Sequence, residues 1–151
     1  MPIKVELESV IPTDQQIAVL FEQLKKRKHS ISHEYLPVYE EHEQFVKNSP
    51  YRSWFIVKLS GSEQGNVYVQ FDNSIGLNGL EDLDALVIQK ILNLVFDQVM
   101  PLDPIPSVRY ADFFFNISIN NTILMDKLTS IGYVQSGVTY IPRKTLKNDK
   151  D

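Results

Sequence analysis

The chain has 151 residues, 43% hydrophobic and 23% charged, a balance that suits one soluble globular domain with a real core. Cys is absent, which excludes disulfides, thiolate metal sites and a cysteine nucleophile and fits the cytoplasm. A net charge of -4 gives no general attraction for nucleic acid or an anionic membrane, and no apolar run is long enough to span a bilayer.

Met1-Pro-Ile-Lys-Val leads into charge rather than an apolar leader, so no signal peptide is expected. Ile3–Val10 alternates as a strand. Thr13 with Gln16 forms a capping box, and Ile17, Leu20, Phe21 and Leu24 recur at helical spacing, which predicts a helix over 14–27. The basic run Lys25–Lys28 fits the C-terminus of that helix, favoured by its dipole. Residues 28–36 are polar and irregular. Pro37 then opens a shorter helix with Val38, His42, Phe45 and Val46 on one face, and Ser49-Pro50 stops it. Strands near 53–60, 66–72 and 74–80 form a meander with short turns.

A long helix is predicted over 82–99, with Leu83, Leu86, Val87, Ile91, Leu94 and Val95 as its main stripe. Its start carries Glu81, Asp82 and Asp84, which complement the helix dipole. Pro101, Pro104 and Pro106 break the chain into a linker. Val108–Phe115 is apolar enough to predict a strand buried on both faces. Asn120 or Asn121 caps a further helix with Ile123, Leu124, Leu128 and Ile131 inward and Gly132 as its stop. Tyr133–Ile141 is predicted as a last strand, and residues 143–151 as a flexible tail beyond a single domain over 1–142. The order β-α-α-β-β-β-α-β-α-β predicts an α/β (α+β) fold, one mixed sheet with helices on both faces.

That order and several local patterns resemble the GNAT superfamily of N-acetyltransferases over roughly residues 3–141. Tyr39-Glu-Glu-His42, Phe45-Val46 and Pro50-Tyr-Arg-Ser-Trp54 are similar to a "yeeH..Fv...pyr.W" run found in some members. Gly65-Asn-Val-Tyr-Val and Asn73-Ser-Ile-Gly76-Leu resemble the third and fourth strands. Asn121 with Gly132-Tyr133 resembles the signature of the fourth helix and following strand. The resemblance implies that the fourth strand splays from the fifth and that the pantetheine of acetyl-CoA, or of another acyl-pantetheine donor, lies in the gap. Ile75, Gly76, Leu77 and Asn78 would then meet the pantetheine through their backbone, with Asn121 beside it. Plain sheet pairing is the structural alternative for those strand residues.

The family's diphosphate loop, Arg/Gln-x-x-Gly-x-Gly/Ala, is replaced by the shorter Gly79-Leu-Glu81-Asp82-Leu-Asp84, with no basic residue. Its acids would repel a diphosphate. The family's Ser and leaving-group Tyr fall on Leu124 and Leu128.

Acyl transfer to an amine needs a base for the ammonium proton and donors for the developing oxyanion. His33 and Glu34, in the irregular segment, are the candidate catalytic residues. His42, on the apolar helix face, is expected to be a packed histidine. The three histidines have no metal-ligand spacing, so no metal is expected. The resemblance implies an N-acyltransferase with a small-molecule amine acceptor. Two other functions fit the same residues: a non-catalytic binding module, and an acyltransferase whose donor is an acyl-carrier protein that keeps its own phosphate outside.

Overall fold

The structure, a computed structural model, describes residues 3–27 and 36–143. Its elements run β1 (Val5–Ser9), α1 (Asp14–Lys25), α2 (Tyr39–Lys47), β2 (Ser53–Leu59), β3 (Ser62–Val69), β4 (Ser74–Asn78), α3 (Ala85–Gln98), β5 (Phe114–Phe115) and α4 (Thr122–Ser130). The strands form one five-stranded sheet in the order β1-β2-β3-β4-β5. All neighbours are antiparallel except β4 and β5, which run parallel across the α3 crossover.

Period-two alternation sorts the side chains of the meander onto two faces. Phe55, Val57, Val67, Val69 and Ile75 turn to a main core closed by Ile88, Ile91, Leu92 and Val95 of α3 and by Leu124 and Leu128 of α4. Trp54 and Ile56 turn the other way, to a smaller core with Ile17 and Leu20 of α1 and Val46 of α2. Helices therefore cover both faces, as the element order predicts.

The caps follow their residue chemistry. Thr13 accepts from the Gln16 backbone N–H (3.1 Å), but Gln16 does not complete the box. Its Oε1 accepts instead from Ile11 N (2.7 Å), and its Nε2 donates to Glu8 (2.7 Å). Asn121 caps α4 by accepting from Leu124 N (3.2 Å). That helix ends in a Schellman motif: Gly132, at φ +110°, donates to Thr129 O, and Tyr133 donates to Leu128 O.

Three expectations are corrected. The long helix starts at Ala85, not 82. Asp84 is its N-cap, accepting from Leu86 N (3.3 Å), while Glu81 and Asp82 lie in a turn before it. The strand expected over 108–115 is only Phe114–Phe115. Residues 105–109 instead fold back through an Ile105–Arg109 bridge, Val108 and Tyr110 are exposed, and Arg109 is tied to the carbonyls of Asp103 and Phe71. No strand forms over 133–141. Tyr133 packs edge-on against Phe115 (5.0 Å), but Val134, Val138 and Tyr140 are exposed. A two-residue β5 offers too little ladder for a further strand to extend.

Candidate functional site

β4 is held differently at its two ends. At its start, Ser74 and Ile75 pair with Phe114 and Phe115. Beyond Ile75 the parallel ladder ends, while the antiparallel pairing with β3 continues to Asn78. The sheet thus opens into a wedge between Gly76–Asn78 and the chain at Asn116–Ser118. Both sides of this wedge line a cavity of about 530 Å³. The same cavity continues across β3 to the inner sides of α1 and α2, where Gln23, Arg27, Glu41 and His42 face it. One space therefore joins the wedge to the helical groove.

Its floor is aromatic. Gly76 is required there because a Cβ at this position would fall inside the Tyr68 ring, which lies directly over it. Tyr68 stacks on Tyr51 with centroids 4.0 Å apart and planes 9° from parallel. Trp54 meets Tyr51 edge to face at 4.9 Å. Burial, as the largest cause, pushes both phenols above the usual tyrosine range, so they remain neutral at physiological pH.

A chain of side-chain amides runs beside the aromatics. The indole Nε1 of Trp54 donates to Asn66 Oδ1 (3.0 Å), and Asn78 Nδ2 donates to the same oxygen (3.1 Å). Asn66 is buried, and its Nδ2 donates to Gln23 Oε1 (2.8 Å). An indole N–H can only donate, so every amide in this chain has a fixed orientation. Asn78 keeps Oδ1 as an acceptor, and Gln23 keeps Nε2 as a donor. Gln23 Nε2 is shielded from solvent and has no protein partner.

No protein-family model matches the sequence, and no curated protein matches it. Solved structures do. A dodecameric spermidine N-acetyltransferase from Vibrio cholerae superposes with a TM-score of 0.54 at 12% identity, over 88% of this chain and 81% of that one. A chimera of the Vibrio cholerae spermidine N-acetyltransferase and hSSAT gives a TM-score of 0.55 at 11% identity, over 88% and 82%. The chain has a GNAT-like fold. Its β4 and β5 part beyond Ile75, as the resemblance implies for the fourth and fifth strands.

Within this GNAT-like frame, Gly76, Leu77, Asn78 and Asn121 all line the cavity, and Ile75 sits at the apex of the wedge, buried and paired on both sides. His33 and Glu34 lie outside the described residues. His42 is buried, packed against Phe21 and Tyr39, with Nε2 3.0 Å from the Ile17 carbonyl. A carbonyl only accepts, so Nε2 carries the hydrogen. Burial lowers the His42 pKa, outweighing that bond, and the ring is neutral at pH 7. Among the described residues no cluster could hold a metal ion, and no helix is long and apolar enough to cross a membrane.

Tyr51, Asn66 and Tyr68 fall within motifs that carry the resemblance but are not among the expected site residues, and Gln23 falls in no motif. Trp54 is the available signal: a buried indole must find an acceptor, and Asn66 lies diagonally across on the next strand, two residues before the directly paired Tyr68. Tertiary structure also brings a cation to the β4–α3 junction. Lys127 of α4 donates from Nζ to the Glu81 carbonyl (2.7 Å), a contact across 46 residues that no local motif announces.

Proposed function

We propose that this protein is an N-acyltransferase that acts on an amino group of a small molecule. The observation that carries this is the continuity of the cavity from the β4–β5 wedge to the α1–α2 groove. A bound acyl-pantetheine supplies the activated thioester carbonyl that an amine attacks. The wedge fits a pantetheine arm: beyond Ile75 the edge of β4 facing β5 has no partner strand, and Gly76, Leu77 and Asn78 line the cavity. The helical groove would hold the amine. Its ammonium proton needs a base, and Glu41, which lines the cavity, joins His33 and Glu34 as a candidate for that role. His42 supports the groove as a packed residue.

The diphosphate of CoA fits less well. Glu81, Asp82 and Asp84 stand at the β4–α3 junction, where Lys127 brings an ammonium to the Glu81 carbonyl. This favours a second form of the same function, in which the donor is an acyl-carrier protein and only its pantetheine arm enters. Incubation of the full chain with acetyl-CoA or an acyl-carrier protein and a panel of amines, read by mass spectrometry, tests both. An N-acyl product from either donor is expected. Absence of product with both, together with no donor binding at millimolar concentration, would leave a non-catalytic binding module.

A further inference from the structure

We infer that this chain forms a two-fold dimer in which residues 133–141 pair antiparallel with the same segment of a second copy. The contact stands whether or not the chain transfers acyl groups. Three observations support it. The first is a strand without a partner. Val134, Val138 and Tyr140 are 84%, 67% and 90% exposed, and no strand forms over these residues. A segment of strand composition becomes a strand only where a neighbour takes its N–H and C=O groups. Tyr133 packs on Phe115 (5.0 Å) and fixes where the segment leaves the body, but a two-residue β5 cannot pair its full length. An identical segment supplies the missing length.

The second is symmetry. The segment is bounded by Gly132, whose φ of +110° ends α4, and by Pro142, which has no N–H to donate. Full overlap of two such segments puts the two-fold axis at Gly137, the central residue. Val134 then lies opposite Tyr140 of the partner subunit, and Ser136 opposite Val138 of the partner subunit. Alternation places Val134, Val138 and Tyr140 of both copies on one face, so the exposed apolar side chains meet across the pair. The third is charge. A net charge of -4 opposes self-association, yet no charged residue lies between Lys127 and Arg143. Like charges directly opposite would disfavour a symmetric pair, and this stretch has none. An uncharged, β-rich segment left in water is an aggregation hazard, which self-pairing relieves.

The absence of cysteine makes the register testable. A Cβ at Gly137 would meet nothing within 4 Å and its φ is not positive, so the monomer accommodates Gly137→Cys. Under mild oxidation this variant of the full chain is expected to form a disulfide-linked dimer, since residues paired at the axis have Cβ atoms about 5 Å apart. Gln135→Cys alone should not, because its two copies lie roughly 13 Å apart along the ribbon. Mixed with Thr139→Cys, it should give the mixed dimer. Sedimentation velocity of the unsubstituted chain should show a monomer–dimer equilibrium, which Val138→Asp or Tyr140→Lys weakens about tenfold or more. Both variants should melt like the parent at low concentration, since both side chains are exposed in the monomer. A chain that stays monomeric at every concentration would overturn the proposal, and would mean that the segment folds onto its own chain or meets a different protein. A dimer indifferent to these substitutions, equal cross-linking at residues 135, 137 and 139, or growth beyond two copies would overturn it as well.

Discussion

The two ends of β4 are built by different means. At its start, Asn73 holds the turn from β3 at φ +73° with its side chain fully buried. Its Nδ2 donates to the carbonyls of Leu102 and Tyr110 (both 2.9 Å), its Oδ1 accepts from Leu102 N (2.8 Å), and its own carbonyl accepts from Phe114 N (3.1 Å). One residue thus fastens the proline linker, through its side chain, and β5, through its backbone carbonyl, to the meander. At the other end nothing crosses from β4 to β5. The contrast teaches that the wedge is closed on one side only. The closed end is specified by buried hydrogen bonds, and the open end by the absence of a partner for a strand that already has one neighbour.

Breaking the locked end should have the largest effect. Asn73→Ala removes three side-chain hydrogen bonds, leaves two part-buried carbonyls without this donor and leaves a non-glycine residue at positive φ. A loss of about 2–4 kcal/mol is expected in urea denaturation. A loss below about 0.5 kcal/mol would show that the linker is held by something else.

The open end is more sharply tested by shape. Gly76→Ala places a methyl group inside the Tyr68 ring and should cost about 1–3 kcal/mol by overpacking. In a Tyr68→Ala background the same change should cost much less, and the double-mutant cycle reads the difference. Additive losses would mean that Gly76 is needed for its backbone and not for the ring above it.

The junction beyond the open end should respond by charge. Glu81→Gly with Asp82→Arg is expected to strengthen CoA binding several-fold at low salt and less at high salt, a gain of about 1 kcal/mol. Micromolar binding of acetyl-CoA by the wild type would refute exclusion by these acids and credit Lys127 with a phosphate contact.

The smallest effect concerns the helical groove as a support for the wedge. The folded-state pKa of His42 lies below its ordinary value of 6.5 because of burial. The unfolded chain therefore binds the proton more readily. The stability contributed by the neutral ring is full above about pH 6.5. It is lost as pH falls through that value, levelling off below the folded pKa. Melting temperature should drop between about pH 7 and pH 5, and His42→Gln should flatten that part of the curve. An unchanged slope would show that His42 titrates alike in both states.

Before tertiary contacts entered, the residues alone settled most of the elements. The 3.6 period of Ile17, Leu20 and Leu24, the caps at Thr13 and Asn121, and the alternation of Trp54 to Val57 are short-range patterns, and local geometry obeys them. The same holds for Gly132, whose positive φ ends α4 where the pattern says it should. Pairing is another matter. Val108–Phe115 and Tyr133–Ile141 both carry strand composition, yet a strand needs an edge to join, and the proline linker tied down by Asn73 and Arg109 leaves β5 two residues long. The cavity belongs to tertiary structure entirely. Its amide contact joins Gln23 to Asn66, 43 residues apart, and at the neighbouring β4–α3 junction Lys127 reaches Glu81 across 46. No local period encodes which amide will be left with an unpaired donor. That follows only when a donor-only indole, two strands and a helix meet in one place, because hydrogen-bond direction is set by partners and not by residue type.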